Sequence, residues 1–432
     1  MLRMARMPSL PLLASTQLSG SDWAQNLLTE CAAAISQHDF VRAQHLLWVL
    51  NEVSSPYGTY EQRLAYYFMQ ALFCKMSQTG PRTHLSLYAA AERTNSFDSM
   101  RKTMLKFQEA SPWVTFGHVA ANGAMMEALE GESSVHIIDL SSTFCTQWPT
   151  LLEALATRAE GAPSVKLTTV VFNEDSDSAP SMNKVMKEVG VRLEKFARLM
   201  GVPFQFSLVQ AKELITLVDE EIAERQQHRY VPIDDIVGSS GGAQSTTTQM
   251  LAINCIGTLH QIPNMHRQEL MYKLQMLRPK IITVVEDMEM YKGNSYEERF
   301  GEALRFYALY FEALEGSMGK VSNERGALER SAARRIMQRL GCEVSFEAAY
   351  DDDDEDNESK GTQWHEWLQR AGFMPKPFSD DVVDDVRALL KRYKDGWGLI
   401  ATPGLDDSAP HYSISLTWKD RSVIFATTWT SP

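Results

Sequence analysis

Hydrophobic positions along this chain follow two different periods. Between residues 23 and 129 they recur at helical spacing: Trp23, Ala24, Leu27, Leu28, Cys31, Ala32 and Ile35 share one face behind the capping pair Ser21 and Asp22. A second helix is expected from 41 to about 52. Leu64, Phe68, Ala71 and Leu72 mark a third, after a turn through Pro56. From Val135 the pattern becomes short apolar runs alternating with helices. Residues 135–138, 167–172, 204–209, 250–256 and 280–285 read as strands, and 149–158, 182–200 and 265–277 as helices between them. This βαβα order predicts an α/β fold with a mostly parallel sheet covered on both faces. A long helical pair is expected from Tyr296 to about Leu340. The end of the chain, at 398–401, 412–418 and 423–429, reads as hairpin-joined strands that add an antiparallel edge to the sheet.

The stretch 135–148, VHIIDLSSTFCTQW, stands out within this pattern. Val135, His136, Ile137 and Ile138 form a buried strand that ends on Asp139, and loops at the carboxyl ends of parallel strands are where α/β sheets bind ligands. Nucleotide and S-adenosylmethionine sites place glycines there so that backbone amides approach the ligand closely. Here Ser141, Ser142, Thr143 and Phe144 fill those positions. Glu174 occupies the place where an acid would bind a ribose, but one acid without the glycines does not predict a cofactor, and none is expected. Asp139, Gln147 and Trp148 are instead expected to anchor the following helix against the N-terminal helices.

Composition narrows the remaining chemistry. With 44% hydrophobic residues the 432-residue chain can bury a large core, and its net charge of −13 opposes a phosphate backbone. DNA contact is therefore expected to be indirect. Five scattered cysteines with no CxxC pair fit a reducing compartment and suggest neither disulfides nor zinc. Residues 1–22 are expected to be an unstructured leader, because Pro8 and Pro11 interrupt the only apolar patch there. No run of about 18 apolar residues suggests a membrane span. Gly238, Ser240 and Gly242 match GxSxG spacing without the helix that a nucleophile elbow needs. His365 and Glu366 begin an HExxH pattern that fails at Gln369. The Ser- and Thr-rich run 238–249 and the acidic run 351–358 read as solvated loops. Arg325, Arg330, Arg334, Arg335 and Arg339, with Glu324 and Glu329 among them, read as a solvated, ion-paired helix in preference to a docking face for DNA or an acidic partner. No catalytic, cofactor-binding or metal-ligating residue is expected.

Taken as ordered blocks, these residues resemble the plant GRAS family. VHIID stands at 135–139, between leucine-rich helical regions at about 23–107 and 191–218. Arg278, Pro279, Phe306, Tyr307 and NERGALER at 323–330 resemble the family's PFYRE block. AGF at 371–373 and the end bearing Trp418 and Trp429 resemble its SAW block. Segments such as LLWVLNEVSSPYGTYEQRLAYYF and DVRALLKRYKDGWG are most similar to the SHORT-ROOT branch. Two departures are local: Ala426, Thr427, Thr428 and Trp429 stand where Ser-Ala-Trp is usual, and 404–410 resembles an added loop. The resemblance implies a Rossmann-like, methyltransferase-like sheet with an N-terminal helical cap, divided as a cap over 23–130 and a core over 131–432. It implies a non-enzymatic transcriptional regulator present in nucleus and cytoplasm. The partners it implies are SCARECROW-like GRAS proteins and zinc-finger transcription factors of the indeterminate-domain type. Val135, His136, Ile137, Ile138, Asp139, Gln147, Trp148, Arg325, Arg330, Trp418 and Trp429 are the candidate structural or partner residues.

Overall fold

The computed structural model describes residues 22–94, 97–141, 144–172, 179–229, 249–257, 259, 262, 264–288, 295–319, 322–342, 364–401 and 412–432. The expected leader, Glu174, the GxSxG run, the acidic run and the loop at 404–410 lie outside these residues. The chain opens with α1 (Trp23–Ser36), α2 (Phe40–Val53), α3 (Tyr60–Ser77), α4 (Gly80–Thr94), α5 (Phe97–Ala110) and α6 (Thr115–Ala128). Then come β1 (Ser134–Ser141), α7 (Trp148–Ala156), β2 (Ser164–Val171), α8 (Ala179–Met200), β3 (Phe204–Gln210), α9 (Leu214–Arg229), β4 (Met250–Ile256), α10 (Asn264–Met276) and β5 (Ile281–Asp287). The last part holds α11 (Tyr296–Met318), α12 (Asn323–Ile336), α13 (Trp364–Arg370), β6 (Met374–Lys376), α14 (Asp380–Leu390), β7 (Trp397–Ala401), β8 (Ile414–Trp418) and β9 (Arg421–Thr430).

Two compact units result. The first combines residues 1–103 with 289–361, and the second combines 104–288 with 362–432. This grouping differs from a cut at residue 130: α6 packs on the sheet, while α11 and α12 return to the N-terminal helices.

In the first unit, local signals start the helices. Asp39 accepts from the Arg42 amide at the head of α2, and Thr59 and Gln62 form a capping box at the head of α3. Packing then selects the partners. Phe68 of α3 lies edge-on to Phe300 and Tyr307 of α11, with ring centroids 5.5 and 6.0 Å apart.

A charged cluster is buried beside these rings. Arg63 donates to Glu329 at 3.1 Å, to Glu315 at 2.8 Å and to the Gly58 carbonyl at 2.8 Å. Arg325 lies 3.2 Å from the same Glu329 oxygen. The expected solvated arginine helix is therefore corrected: Arg330 is exposed, but Arg325 and Glu329 are buried, because Arg63 of α3 supplies a counter-charge in the interior.

The second unit is built on one sheet of order β3-β2-β1-β4-β5-β9-β8-β7, with β6 also paired to β9. Strands β1 to β5 pair in parallel and β7 to β9 form an antiparallel end, as the sequence pattern predicts, while the short β6, antiparallel to β9, is an addition the sequence pattern does not announce. One face carries Ile138, Leu140, Leu251, Ile253, Ile282, Val284 and Trp429, packed with Leu214 and Val218 of α9 and Leu270 and Leu274 of α10. Helix α6 comes before β1 in the chain and α7 after it. Gly117 of α6 lies so near Val285 that a Cβ would come within 2.8 Å of its methyl group, which lets this helix run close over the sheet.

Candidate functional site

Strand β1 sends alternate side chains to opposite faces. His136, Ile138 and Leu140 point one way, while Val135, Ile137 and Asp139 point the other. Asp139 sits in register with Thr169 of β2 on one side and Asn254 of β4 on the other. Asn254 faces Thr283 of β5, and Thr283 faces Thr428 of β9. A polar row thus crosses five neighbouring strands, and every member of it is buried. Such a row is stable only if each group finds a partner.

The chain supplies the partners itself. Asp139 accepts from Trp148 Nε1 at 2.9 Å and Asn254 Nδ2 at 3.0 Å, with the Thr169 hydroxyl at 3.5 Å and Ser141 contributing through side chain and backbone. Asn254 also donates to Gln147 Oε1 at 3.0 Å and accepts from the Thr283 hydroxyl at 2.8 Å. Gln147 donates onward to Asn122 Oδ1 of α6 at 2.9 Å. Asn122 in turn donates to the Thr150 hydroxyl at 3.0 Å. Asp139 and Gln147 are fully enclosed, and Trp148 nearly so. Burial pushes the Asp139 carboxyl up to about 6, against the pull of the Asn254, Ser141 and Trp148 hydrogen bonds.

The turn after β1 has a second peculiarity. Phe144 and Cys145 are both in the left-handed region, at φ of 51° and 59°. Residues other than glycine pay about 1–2 kcal/mol each for that conformation. The backbone thus takes a conformation that glycines would adopt freely, and the segment is held there by the burial of Cys145 and by Trp148 N–H bonding to the Cys145 carbonyl at 3.3 Å.

A similar pairing occurs at the carboxyl end of β5. Trp113 Nε1 donates to Asp287 at 2.9 Å, and the neighbouring Glu286 accepts from the Leu259 amide at 2.9 Å. Carboxylates at the ends of two parallel strands are therefore each met by an indole from the same chain. On the other face, His136 is fully buried between Glu221 of α9 at 3.3 Å and the Thr168 hydroxyl at 2.9 Å. Burial lowers the His136 pKa. The neutral ring then donates from Nδ1 to the carboxylate and accepts from Thr168 at Nε2. Burial opposes charge on Glu221, but the His136 hydrogen bond, Arg225 and Lys166 bring its carboxyl down to about 2.

The other candidates are dispersed. Val135, Ile137 and Ile138 are interior strand residues. Trp429 is buried on the Leu251 and Ile253 face and donates to Thr427 at 3.0 Å. Trp418 is buried against Trp397, centroids 4.8 Å apart, and Trp397 is edge-on to Trp113. Arg325 and Arg330 belong to the first unit. Among the described residues no group of three or more His, Cys, Asp or Glu is placed to hold a metal ion, and no helix is long and apolar enough to cross a membrane. Sequence reasoning passed over Asn122, Asn254, Thr283, Trp113 and Asp287. Asn254 and Thr283 carried a signal, since each is a polar residue inside an otherwise apolar strand.

A mostly parallel sheet of this order, with helices on both faces and a VHIID strand closed by its own tryptophan, defines the class. The chain matches the GRAS domain family over residues 24–430 and belongs to it. Within the family it falls in the SHORT-ROOT-like branch: it is 43% identical to Protein SHORT-ROOT of Arabidopsis thaliana over 424 residues, covering 95% of this chain and 74% of that protein. It is 27% identical to the Scarecrow-like transcription factor PAT1 of the same plant, over 93% of this chain and 75% of the relative. Among solved structures it is similar to SCL7 of Oryza sativa, with a TM-score of 0.68 at 24% identity, over 94% of this chain and 99% of that one, a likeness of fold.

Proposed function

We propose that this chain is a non-enzymatic transcriptional regulator of plant development that acts in the nucleus, and passes through the cytoplasm, by binding other regulators. The observation that carries the reading is the closure of the sheet's carboxyl end by the chain's own side chains. Asp139 and Asp287 would be the natural ligand-binding acids, and each is taken up by an indole N–H, from Trp148 and Trp113. What such a fold offers instead is surface. On α2, Phe40, Val41 and Trp48 are 52%, 83% and 48% exposed. Large apolar side chains in one area mark a protein contact, and tryptophan is a frequent anchor there. SCARECROW-like GRAS proteins are the proposed partners of this helical surface, and indeterminate-domain zinc-finger factors those of the sheet unit, with DNA reached through them. Size-exclusion chromatography of the chain mixed with each partner tests this: a co-eluting complex is expected, and separate elution of both mixtures would contradict it.

One observation favours a second reading. The β3-β2-β1-β4-β5 order is that of methyltransferase sheets, so S-adenosylmethionine is the cofactor to try. Calorimetry with it is expected to give no saturable heat, and heat that is lost in Asp139→Ala would support an enzyme. Direct DNA binding by α12 is weaker, since Arg325 there is turned inward to Glu329.

A further inference from the structure

The outer face of α8 differs in charge from the surface around it. Lys184, Lys187, Arg192, Lys195 and Arg198 are all exposed. Their spacing places them in one band of the helix about 21 Å long. Elsewhere in this unit Lys273 reaches Asp219 at 2.7 Å and Glu269 at 3.3 Å, and Arg387 reaches Asp384 at 2.8 Å. On α8 Arg192 lies 4.0 Å from Glu188, and Glu194 is the other acid along the band. Lys184, Lys187, Lys195 and Arg198 make no ion pair with any described residue. In a chain of net charge −13, four unmatched cations on one face are a local positive field.

Apolar side chains share the band. Val191 is 49% exposed and Leu199 is 85% exposed. Lys184, Lys187, Glu188, Val191, Arg192 and Lys195 line one open concavity. The inner face fixes the helix in this rotation: Met186, Leu193 and Ala197 are buried, and Gly190 lies so close to Phe206 of β3 that a Cβ would come within 2.2 Å of its ring.

We infer that this band is a docking surface for an acidic amphipathic helix of a protein partner. The unmatched cations call for carboxylates. Val191 and Leu199, two turns apart, suit the apolar stripe of a helix laid along α8. A duplex has no use for an exposed leucine, and the chain's overall negative charge repels its phosphates. The docked helix sets its apolar residues on Val191 and Leu199 and its acids on Lys187, Lys195 and Arg198. This surface stands independently of the pairing proposed for the first unit.

Fluorescence anisotropy with the full chain tests it. The probe is a fluorescein-labelled synthetic helix with leucines at helical spacing and glutamates between them, alongside a scrambled peptide of the same composition. Saturable binding of the patterned peptide is expected, weakened about tenfold or more, roughly 1.4 kcal/mol, both in Lys187→Glu/Lys195→Glu/Arg198→Glu and in Val191→Ser/Leu199→Ser. All five positions are exposed or half-exposed, so circular dichroism melting is expected to stay unchanged, and a Lys273→Glu variant to bind as the wild type does. No saturable binding, equal binding of the scrambled peptide, or a labelled DNA duplex that binds more tightly and is lost in the charge variant would each overturn the proposal.

Discussion

The indole N–H of Trp148 donates to Asp139 Oδ2 across 2.9 Å, so the first residue of α7 is tied to the strand that the chain has just left. Removing the donor leaves a buried carboxylate one partner short. Trp148→Phe keeps most of the ring volume and is expected to destabilise the protein by about 1.5–3 kcal/mol, the range for hydrogen bonds to charged groups. Urea denaturation followed by circular dichroism checks it, and an unchanged midpoint would show that the bond contributes little.

Asp139 also makes a prediction in pH. Its native pKa of about 6 lies above the ordinary 3.8, so the folded state holds the proton more tightly than the unfolded state does. The stabilising contribution of that proton is complete below about pH 4 and is lost as pH rises through 6. Asp139→Asn cannot titrate. The stability difference, wild type minus variant, is therefore expected to fall by about 2.4 kcal/mol between pH 4 and pH 7, from the 1.36 kcal/mol carried by each pKa unit and the part of the unfolded group already ionised at pH 4. A difference that stays flat over that range would show that Asp139 does not titrate as its burial implies.

Much of this unit was legible in the sequence, because strand formation there is local. The β-branched run before Asp139 became β1, the later apolar runs became β2 to β5, and the strands at the end of the chain became the antiparallel flank. The roles of Asp139 and Trp148 were only half legible. That they hold the turn followed from the missing glycines, whereas the partners Asn254 and Asn122 lie over a hundred residues away from, and just before, the strand. The left-handed backbone at Phe144 and Cys145 had no sequence signal, since these residues rarely adopt it. The return of α11 and α12 to the N-terminal helices was hidden for a similar reason: the pair Arg63 and Glu329 is separated by 266 positions.

That pair gives a third expectation. Arg63 and Glu329 are both buried, and burial raises the Glu329 pKa against the pull of Arg63 and Arg325. Arg63→Met strips Glu329 and Glu315 of a shared donor and is expected to cost about 3–5 kcal/mol. Arg63→Met/Glu329→Gln is expected to cost less than the two single changes summed, because the pair is coupled. Thermal melts of the three variants measure this, and strict additivity would mean that the pair contributes no specific interaction.

Backbone approach gives a fourth. A Cβ on Gly80, at the start of α4, would meet the Gly341 carbonyl oxygen at 1.9 Å. Backbone on both sides leaves little room to yield. Gly80→Ala is expected to lose about 2 kcal/mol or more through overpacking, whereas Gly301→Ala, with open space around it and a helical backbone, is expected to gain a few tenths to about 1 kcal/mol. Comparing the two melting temperatures checks the packing of the first unit, and equal values would contradict it.

The claim that this chain works by binding regulators, not by turning over a substrate, is tested most directly by calorimetric titration with a purified SCARECROW-like GRAS domain. The account predicts a saturable complex with the wild type that weakens at least about tenfold in Val41→Asp/Trp48→Asp, whose side chains lie exposed on α2. No heat of binding with the wild type, or an affinity untouched by the double substitution, would contradict it.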